Sequence, residues 1–497
     1  SKYLIYAIVA SGVGAIIGIV ALSKFLPWFI MGAYAIIYAV PCRPCPIDPA
    51  MTAAAAGLGV GITVIATWFA AASTLRERPA FLMLPRAPKA GKRILLERIR
   101  PVWRRLSFSW KVTSRNLFRY KRRFIMAIVG IAGCTALLLT GLGLQNAIND
   151  IIDKQYGELY HYNTIVRMAS DSTDDEKSQV EQRVEEDASG EYAWLATANK
   201  QAQSISDDDG ADINQHRVDI VVPEHPDTFS DFNTMRMREG HEELALSDDG
   251  VLVSEKLAME LSLTVGSTFS IFDEDAVGDA TGDGREVTVA GIMENYVGHY
   301  VYFTPTLYEQ VMGEEPVFTT LYANEVEDEG AREVLSDELL ATNGVKTVTY
   351  NDETIDSYRT MLKSVDSVVV VLVIAAALLA FVVLYNLTNI NITERAREIA
   401  TLKVLGFTPR EVDAYIYRET LLLAVIGALV GLLLGIVMEG FVVVTAEVDQ
   451  VMFGRDIHAA SFIIAFLLTM VFSVIVTLAM RPKLRRIDMV ESLKSNE

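Results

Sequence analysis

Cysteine is almost absent: the chain has three in 497 residues. A disulfide framework therefore cannot be what holds it together. Histidine is nearly as scarce, at six, and no two are spaced along the chain as metal ligands, so no metal site is assigned. No glycine loop of the phosphate-binding type is present, no nucleophile elbow and no kinase set. No catalytic residue follows, and the chain is not expected to be an enzyme or to bind ATP itself. Basic residues are also missing from one long block. Asp150 to Lys363 holds 47 acidic residues against 14 basic ones, while the remainder holds 16 against 30. The net charge of −19 thus comes from one block, in a chain that is 51% hydrophobic. Apolar and acidic character on this scale belong to different parts of a molecule.

The apolar part is long runs. Tyr3–Leu26, Met51–Thr74, Phe124–Leu144, Val365–Leu387, Thr420–Val444 and Ala459–Met480 each have the length and composition of a membrane helix. Trp28–Val40 follows Pro27 and stops at Pro41. It is short for a crossing and reads as an interfacial or re-entrant piece. Arg76–Arg123 carries 16 Lys and Arg against two Glu, and the tail after Arg481 is basic too. The positive-inside rule puts both in the cytoplasm. Six crossings then close the parity, with the acidic block outside and the C-terminus inside. The predicted fold is a membrane α-helical bundle of about six transmembrane helices with an inserted extracellular α+β domain, in the plasma membrane.

The layout follows. Residues 1–84 hold the first two spans, with 28–41 as the interfacial piece. Residues 85–123 are a basic cytoplasmic linker ending in an elbow helix, and 124–145 are the third span. Residues 146–363 are the acidic outer domain, 364–388 the fourth span and 389–418 a charged cytoplasmic turn-around. Residues 419–481 hold the last two spans and 482–497 the cytoplasmic tail. The basic stretch Lys89–Arg123 lies beside a membrane span, so topology and anionic lipid explain it and no nucleic acid is expected. Ionisable residues within the spans are few: Lys24 and Glu439, near outer ends. That argues against a polar ion path through the centre.

Cys134 lies in a span and reads as a small packing residue. Cys42 and Cys45, in Pro-Cys-Arg-Pro-Cys-Pro, fall in the first outer loop. A loop disulfide, idle thiols, and a metal or redox pair are the open readings.

The chain also repeats itself. Val13-Gly14-Ala15-Ile16-Ile17-Gly18-Ile19-Val20 aligns with Val430-Gly431-Leu432-Leu433-Leu434-Gly435-Ile436-Val437. Each lies in a span followed by an outer loop, a second span and a basic inner segment. Gly14, Gly18, Gly427, Gly431 and Gly435 are candidate helix-packing positions, since glycines four apart let helices approach closely in lipid. Small residues at this spacing also occur as generic packing. The second copy is complete and the first shows only its last two spans, so a longer two-repeat protein is the expectation.

In the outer domain, Gly250–Leu261 reads as a strand entering a helix with Ser254 at the N-cap. Ser267–Phe272 and Glu286–Ile292 read as a hairpin. The acidic Asp273–Gly284 between them fails the calcium-loop spacing and reads as a solvated loop. Tyr300–Tyr308 reads as another strand entering a helix, Val345–Tyr350 as a last strand, and Ser170–Glu191 as a surface helix or arm.

One segment is then distinctive. Thr393-Glu394-Arg395-Ala396-Arg397-Glu398-Ile399-Ala400-Thr401-Leu402-Lys403-Val404-Leu405-Gly406 joins two spans. It resembles the E-R-x-R-E-I-(G/A)-x-x-(K/R)-x-L-G signature of the FtsX/MacB family of ABC transporter permeases. Ala400 stands where glycine is common there. Ser114–Lys121 is similar to that family's elbow helix, and Ile487–Lys494 to its ending. The duplicated layout most resembles the large two-repeat permeases of Gram-positive bacteria.

The resemblance implies a permease subunit that couples ATP hydrolysis, by two copies of a separate ABC ATPase carrying ATP and Mg, to export, extraction or mechanical work outside. The turn-around would be the coupling helix. Ile399, Leu402 and Leu405 would form its buried stripe, Glu394, Arg395, Arg397, Glu398 and Lys403 its charged rim, and Gly406 its end. Membrane lipids and an extracellular protein or peptide cargo are the other expected partners. The alternative from the residues alone is a membrane sensor with a ligand-binding outer domain.

Overall fold

The computed structural model describes residues 2–34, 48–75, 104, 111, 115, 121–204, 215–274, 280–325, 329–394 and 396–485. The basic linker and elbow (apart from residues 104, 111, 115 and 121–123), the Cys42–Cys45 motif and the tail beyond 485 lie outside them. Two compact units emerge. One contains residues 1–142, 363–438 and 459–497, the other residues 143–362 and 439–458.

The first unit is helical. α1 (Lys2–Tyr34) packs on α2 (Pro49–Leu75). α1 corrects the reading of a break at Pro27, since the helix runs through that residue to Tyr34. Within lipid a proline need not end a helix, because the freed carbonyl can be satisfied by other means. α3 (Lys121–Lys154) leads into the second unit. Among the described residues, five helical stretches are long and apolar enough to cross a membrane: Pro49–Phe69, Phe124–Leu159, Val373–Ile390, Arg410–Ala446 and Ala459–Lys483. Leu4–Val20 in α1 is a shorter apolar stretch.

The second unit is built on a nine-stranded sheet. After α3, one π turn (Gln155–Leu159) leads to β1 (Thr164–Met168), α4 (Asp174–Asp187), β2 (Ala188–Ser204) and β3 (Gln215–Pro223). Next come β4 (Val251–Ser254), α5 (Glu255–Glu260), β5 (Thr268–Glu274), β6 (Ala280–Met293) and β7 (Tyr300–Tyr302). α6 (Pro305–Met312), β8 (Thr320–Glu325), α7 (Glu329–Ala341) and β9 (Val345–Tyr350) complete it. The chain leaves through α8 (Asn351–Glu394), then α9 (Ala396–Val404), α10 (Pro409–Ala446), α11 (Ala459–Ala479) and the short α12 (Arg481–Arg485).

The strand order is β3-β7-β4-β6-β5-β2-β8-β1-β9, and β2 also pairs with β3. That extra pairing closes six strands into a ring. β2 is the seam. Its Leu195–Gln203 stretch pairs with β3, its Gln201–Ser204 end with β5, and its opening half with β8. Ala202, Ile220, Val253, Phe269, Val289 and Val301, one from each strand of the ring, are buried in one cluster with Leu257 and Tyr308. The opening half of β2 joins β8, β1 and β9 in an open sheet covered by α4 and α7. Val180 and Val184 of α4 and Leu335 and Leu339 of α7 meet Val166 and Leu321 there.

The predicted hairpin is β5 and β6, paired antiparallel. Ser254 does occupy the N-cap of α5, but makes no side-chain cap there. Its hydroxyl instead accepts the N–H of Tyr300 at 3.1 Å, tying β4 to β7. Ser170–Glu191 contains α4, opened by a reciprocal Thr173–Glu176 capping box.

In the helical unit α3 is central. A Cβ at Gly427 of α10 would lie 2.7 Å from Ile131, one at Gly431 2.6 Å from Thr135, and one at Gly435 2.8 Å from Leu139. Only glycine permits α10 to lie this close along α3. Thr135 and Thr469 of α11 share a hydrogen bond at 3.0 Å. Gly14 and Gly18 of α1 have nothing within 4 Å among the described residues. Among the described residues, the same spacing therefore carries a helix contact in α10 and none at Gly14 and Gly18 of α1.

Candidate functional site

Two short connections carry the chemistry. The first is the turn-around between α8 and α10. α9 ends in a Schellman arrangement: the N–H of Gly406 bonds to the Lys403 carbonyl at 3.1 Å, and that of Phe407 to the Leu402 carbonyl at 3.2 Å. Gly406 takes φ 89° to do so, a conformation that a side chain would strain. Thr408 then starts α10, its backbone N–H bonded to Glu411 at 2.8 Å.

The apolar stripe of α9 divides. Ile399 is only 2% exposed and sits in the helical unit's own core with Ile392, Val412, Leu423, Val476 and Met480. Leu402 is half-buried against that cluster. Leu405 is 69% exposed, and Val404 and Phe407 are exposed by 60% and 47%. The three-residue stripe predicted to enter a partner is therefore corrected. At three residues per step the positions rotate around the helix, so Ile399 and Leu402 anchor it to its own bundle and Leu405 drifts to the open side. Val404 and Phe407, which the stripe omitted, join Leu405 there. Lys403 is half-buried. Arg395 and the side chains of Glu394, Arg397 and Glu398 lie outside the described residues. Nearby, Arg481 donates to the Tyr417 hydroxyl at 3.1 Å and stacks its guanidinium over that ring.

The second connection is the segment between α10 and α11, which sequence reading treated only as an outer loop. It belongs to the sheet-containing unit. The N–H of Gly298 bonds to the Gln450 carbonyl, the N–H of Met452 to the Tyr296 carbonyl and the N–H of Gly454 to the Ala147 carbonyl, at 2.8, 2.9 and 2.8 Å. Val297 and Val451 form a bridge. Met452 is buried with Ile151, Leu159 and Tyr296. Gln155, in the π turn, donates to Asn295 at 2.9 Å and accepts from the N–H of Tyr296 at 2.7 Å.

Several charges in this segment are paired. The buried Glu447 carboxylate meets Lys256 of α5 at 3.2 Å and Arg455 at 2.7 Å, and accepts the N–H of Phe453 at 3.0 Å. Burial pushes the Lys256 ammonium down, but hydrogen bonds to Glu260 and Glu447 outweigh it and hold the group above the ordinary lysine range. The Lys154 ammonium, at 2.6 Å, holds Asp456 below the usual carboxylate range. Glu439, at the domain end of α10, is buried with its side chain against Gly143, where a Cβ would meet it at 2.6 Å. The side chain of Lys24 lies outside the described residues.

The histidine reading considered spacing along the chain only, and the fold brings two histidines together that are distant in sequence. His216 at the start of β3 and His299 before β7 are brought side by side when those strands pair in parallel. Their rings stand 5.5 Å apart, and both approach Asp449 of the outer loop, at 2.7 and 3.4 Å. The signal available in the sequence was the polar run Glu447–His458 between two apolar spans, dense in charge for a mere loop.

Residues 370–489 match the FtsX-like permease C-terminal family. Residues 126–341 match the MacB-like periplasmic core domain. Among solved structures, the chain is similar to the periplasmic region of MacB from Actinobacillus actinomycetemcomitans, at 8% identity and TM-score 0.26, covering 42% of this chain and 97% of that one. It is also similar to the extracellular domain of the noncanonic ABC-type transporter YknZ from Gram-positive bacteria, at 12% identity and TM-score 0.24, covering 38% and 99%. No curated protein matches.

The class is thus a multi-pass helical membrane protein with an extracellular domain inserted after its third helix. Within that class, the chain belongs to the FtsX/MacB-like permeases of ABC transporters.

Proposed function

We propose that this permease transmits ATP-driven movement from separate ATPase subunits, two copies with ATP and Mg, to work done by its extracellular domain. The ATPase docks on the turn-around, and the turn-around and the C-terminus lie in the cytoplasm. The observation that carries this reading is the division of α9. One face is held in the bundle by Ile399, and the other offers Val404, Leu405 and Phe407 to water. A contiguous apolar patch at the closed end of a helix is a binding surface in need of a partner. Because Ile399 is rigidly packed, a push on Leu405 moves α8 and α10 together rather than deforming the turn. α8 runs into β9 of the domain and α10 into the outer loop, so movement there reaches the domain through two connections. The work is export, extraction or mechanical action on an extracellular protein, peptide or lipid-embedded cargo.

The test replaces Leu405 by Asp in the full chain, reconstituted with its ATPase. Association should weaken by more than about tenfold, the loss of roughly 1.4 kcal/mol of contact, and permease-stimulated ATP turnover should fall with it. A Leu405→Asp protein that keeps its partner and the stimulated turnover would sink the coupling role and favour a sensor.

A further inference from the structure

We propose that His216, His299 and Asp449 form a binding site for one divalent first-row transition-metal ion of the zinc class, which staples the outer loop to the extracellular domain. This does not rest on the coupling role of the turn-around.

The three side chains converge. Asp449 Oδ1 lies 2.7 Å from His216 Nδ1 and 3.4 Å from His299 Nε2. The three ligand atoms all fall within 4.8 Å of one another. A tetrahedral ion with bonds of about 2.0–2.1 Å separates its ligand atoms by about 3.3 Å. The His299–Asp449 edge already has about that length, and the His216–Asp449 edge needs to open by about 0.6 Å. Imidazole and carboxylate are the donors that suit such ions, and three protein ligands leave a fourth position for water. Asp449, its side chain 57% exposed, opens the site to solvent on that side, while both imidazoles are buried.

The backbone holds the ligands in place. The N–H of Asp219 bonds to the His299 carbonyl at 2.8 Å, which locks His299 to β3, the strand that bears His216. Gln450, next to Asp449, is bonded through its carbonyl to the N–H of Gly298, next to His299. Each ligand is therefore one to three residues from a fixed hydrogen bond, and none has to be recruited from a free loop. His299 Nδ1 has no hydrogen-bond partner among the described residues, so the polar chemistry of this ring is directed at Asp449. An ion here ties β3, β7 and the α10–α11 segment at a single point. A two-histidine, one-carboxylate set can also hold ferrous iron; cobalt spectroscopy and metal analysis compare the ions directly.

The test uses the full chain in detergent, without an oligohistidine tag, stripped with chelator and titrated with zinc chloride and with cobalt chloride. One equivalent of zinc should bind and raise the thermal midpoint, since a ligand that binds only the folded state stabilises it. Cobalt should give the intense visible bands of a tetrahedral or five-coordinate site. Asp449→Asn, nearly isosteric and at an exposed position, should keep the metal-free midpoint yet bind zinc at least about tenfold more weakly, the smallest loss expected when a metal site is damaged. His216→Ala should abolish the cobalt bands. Zinc affinity and midpoint shift unchanged in Asp449→Asn would overturn the proposal, as would a cobalt spectrum of the pale octahedral kind.

Discussion

The two connections flanking α10 make opposite use of similar lengths of chain. At the turn-around, one isoleucine is buried and the neighbouring Val404, Leu405 and Phe407 stand open. In the segment before α11, by contrast, backbone groups bond across to 296 and 298 and to 147, and the buried Glu447 has three partners. The first is a surface awaiting something; the second is already part of the domain it touches. On the proposed reading the permease is a lever: the connection before α11 is fastened to the domain, so stability resides there, while the turn-around keeps apolar surface for the partner that would supply energy.

If that contrast is right, damage to stability should fall mainly on the outer connection. Glu447→Ala leaves Lys256 and Arg455 without their shared, buried carboxylate. Removing one member of such a set costs about 3–5 kcal/mol, read as a large drop in the thermal midpoint and early proteolysis in the outer loop. A loss below about 1 kcal/mol would show that the loop is not fastened as described.

Next comes Ile399→Ala, which opens a cavity in the helical core and should cost about 2–4 kcal/mol. This change separates anchoring from docking, since it should lower the midpoint of the permease alone. An unaltered midpoint would mean that Ile399 is a contact residue for the ATPase and not an anchor.

A smaller effect is expected from pH. The Lys200 ammonium, hydrogen-bonded to Asp273, and Arg285 beside it hold that carboxyl below its ordinary value. The unfolded chain then takes up the proton first. The stability this group contributes is present above about pH 4, the ordinary carboxylate value, and is lost as pH falls through the lower folded value. Asp273→Asn should therefore lower stability slightly at neutral pH, leave it unchanged at the acid end, and so flatten the acid limb of the unfolding curve. Because the carboxylate is partly exposed, a large effect would contradict its placement.

Smallest of all should be the stability effect of Leu405→Asp, within about 0.5 kcal/mol as for other exposed sites. Its whole consequence should appear in ATPase association. A midpoint that falls by several degrees would place Leu405 in the fold and dissolve the contrast.

Much of this was legible in the residues. The spans announce themselves because crossing a bilayer is a matter of local length and apolarity. The turn-around was legible as a helix ended by Gly406, since both the periodicity and the cap are local. Which side of it faces its own bundle was not. An apolar stripe records that a face avoids water, and Ile399 and Leu405 look alike until Val412 and Met480 are seen to cover one of them. The seam strand was missed for a related reason. Ala188–Ser204 contains Asn, Gln, Lys and Ser, and its pairing with three partners comes from strands distant in sequence. The piece after Pro27 was set apart on length and parity, which carry no record of whether the helix continues, and α1 runs on to Tyr34.

What the sequence alone determined, then, is the inventory: apolar spans, an acidic domain between them, a charged turn and the family signature. All depend on composition or on spacing within a few residues, which no tertiary contact can change. The tertiary structure decided which equivalent features act. It made the glycine ladder of α10 a helix contact, while that of α1 meets nothing among the described residues, and it split the stripe of α9. It also brought His216, His299 and Asp449 onto one point from three distant places. Contacts of that kind depend on strand pairing and helix packing, and distance along the chain carries no record of them.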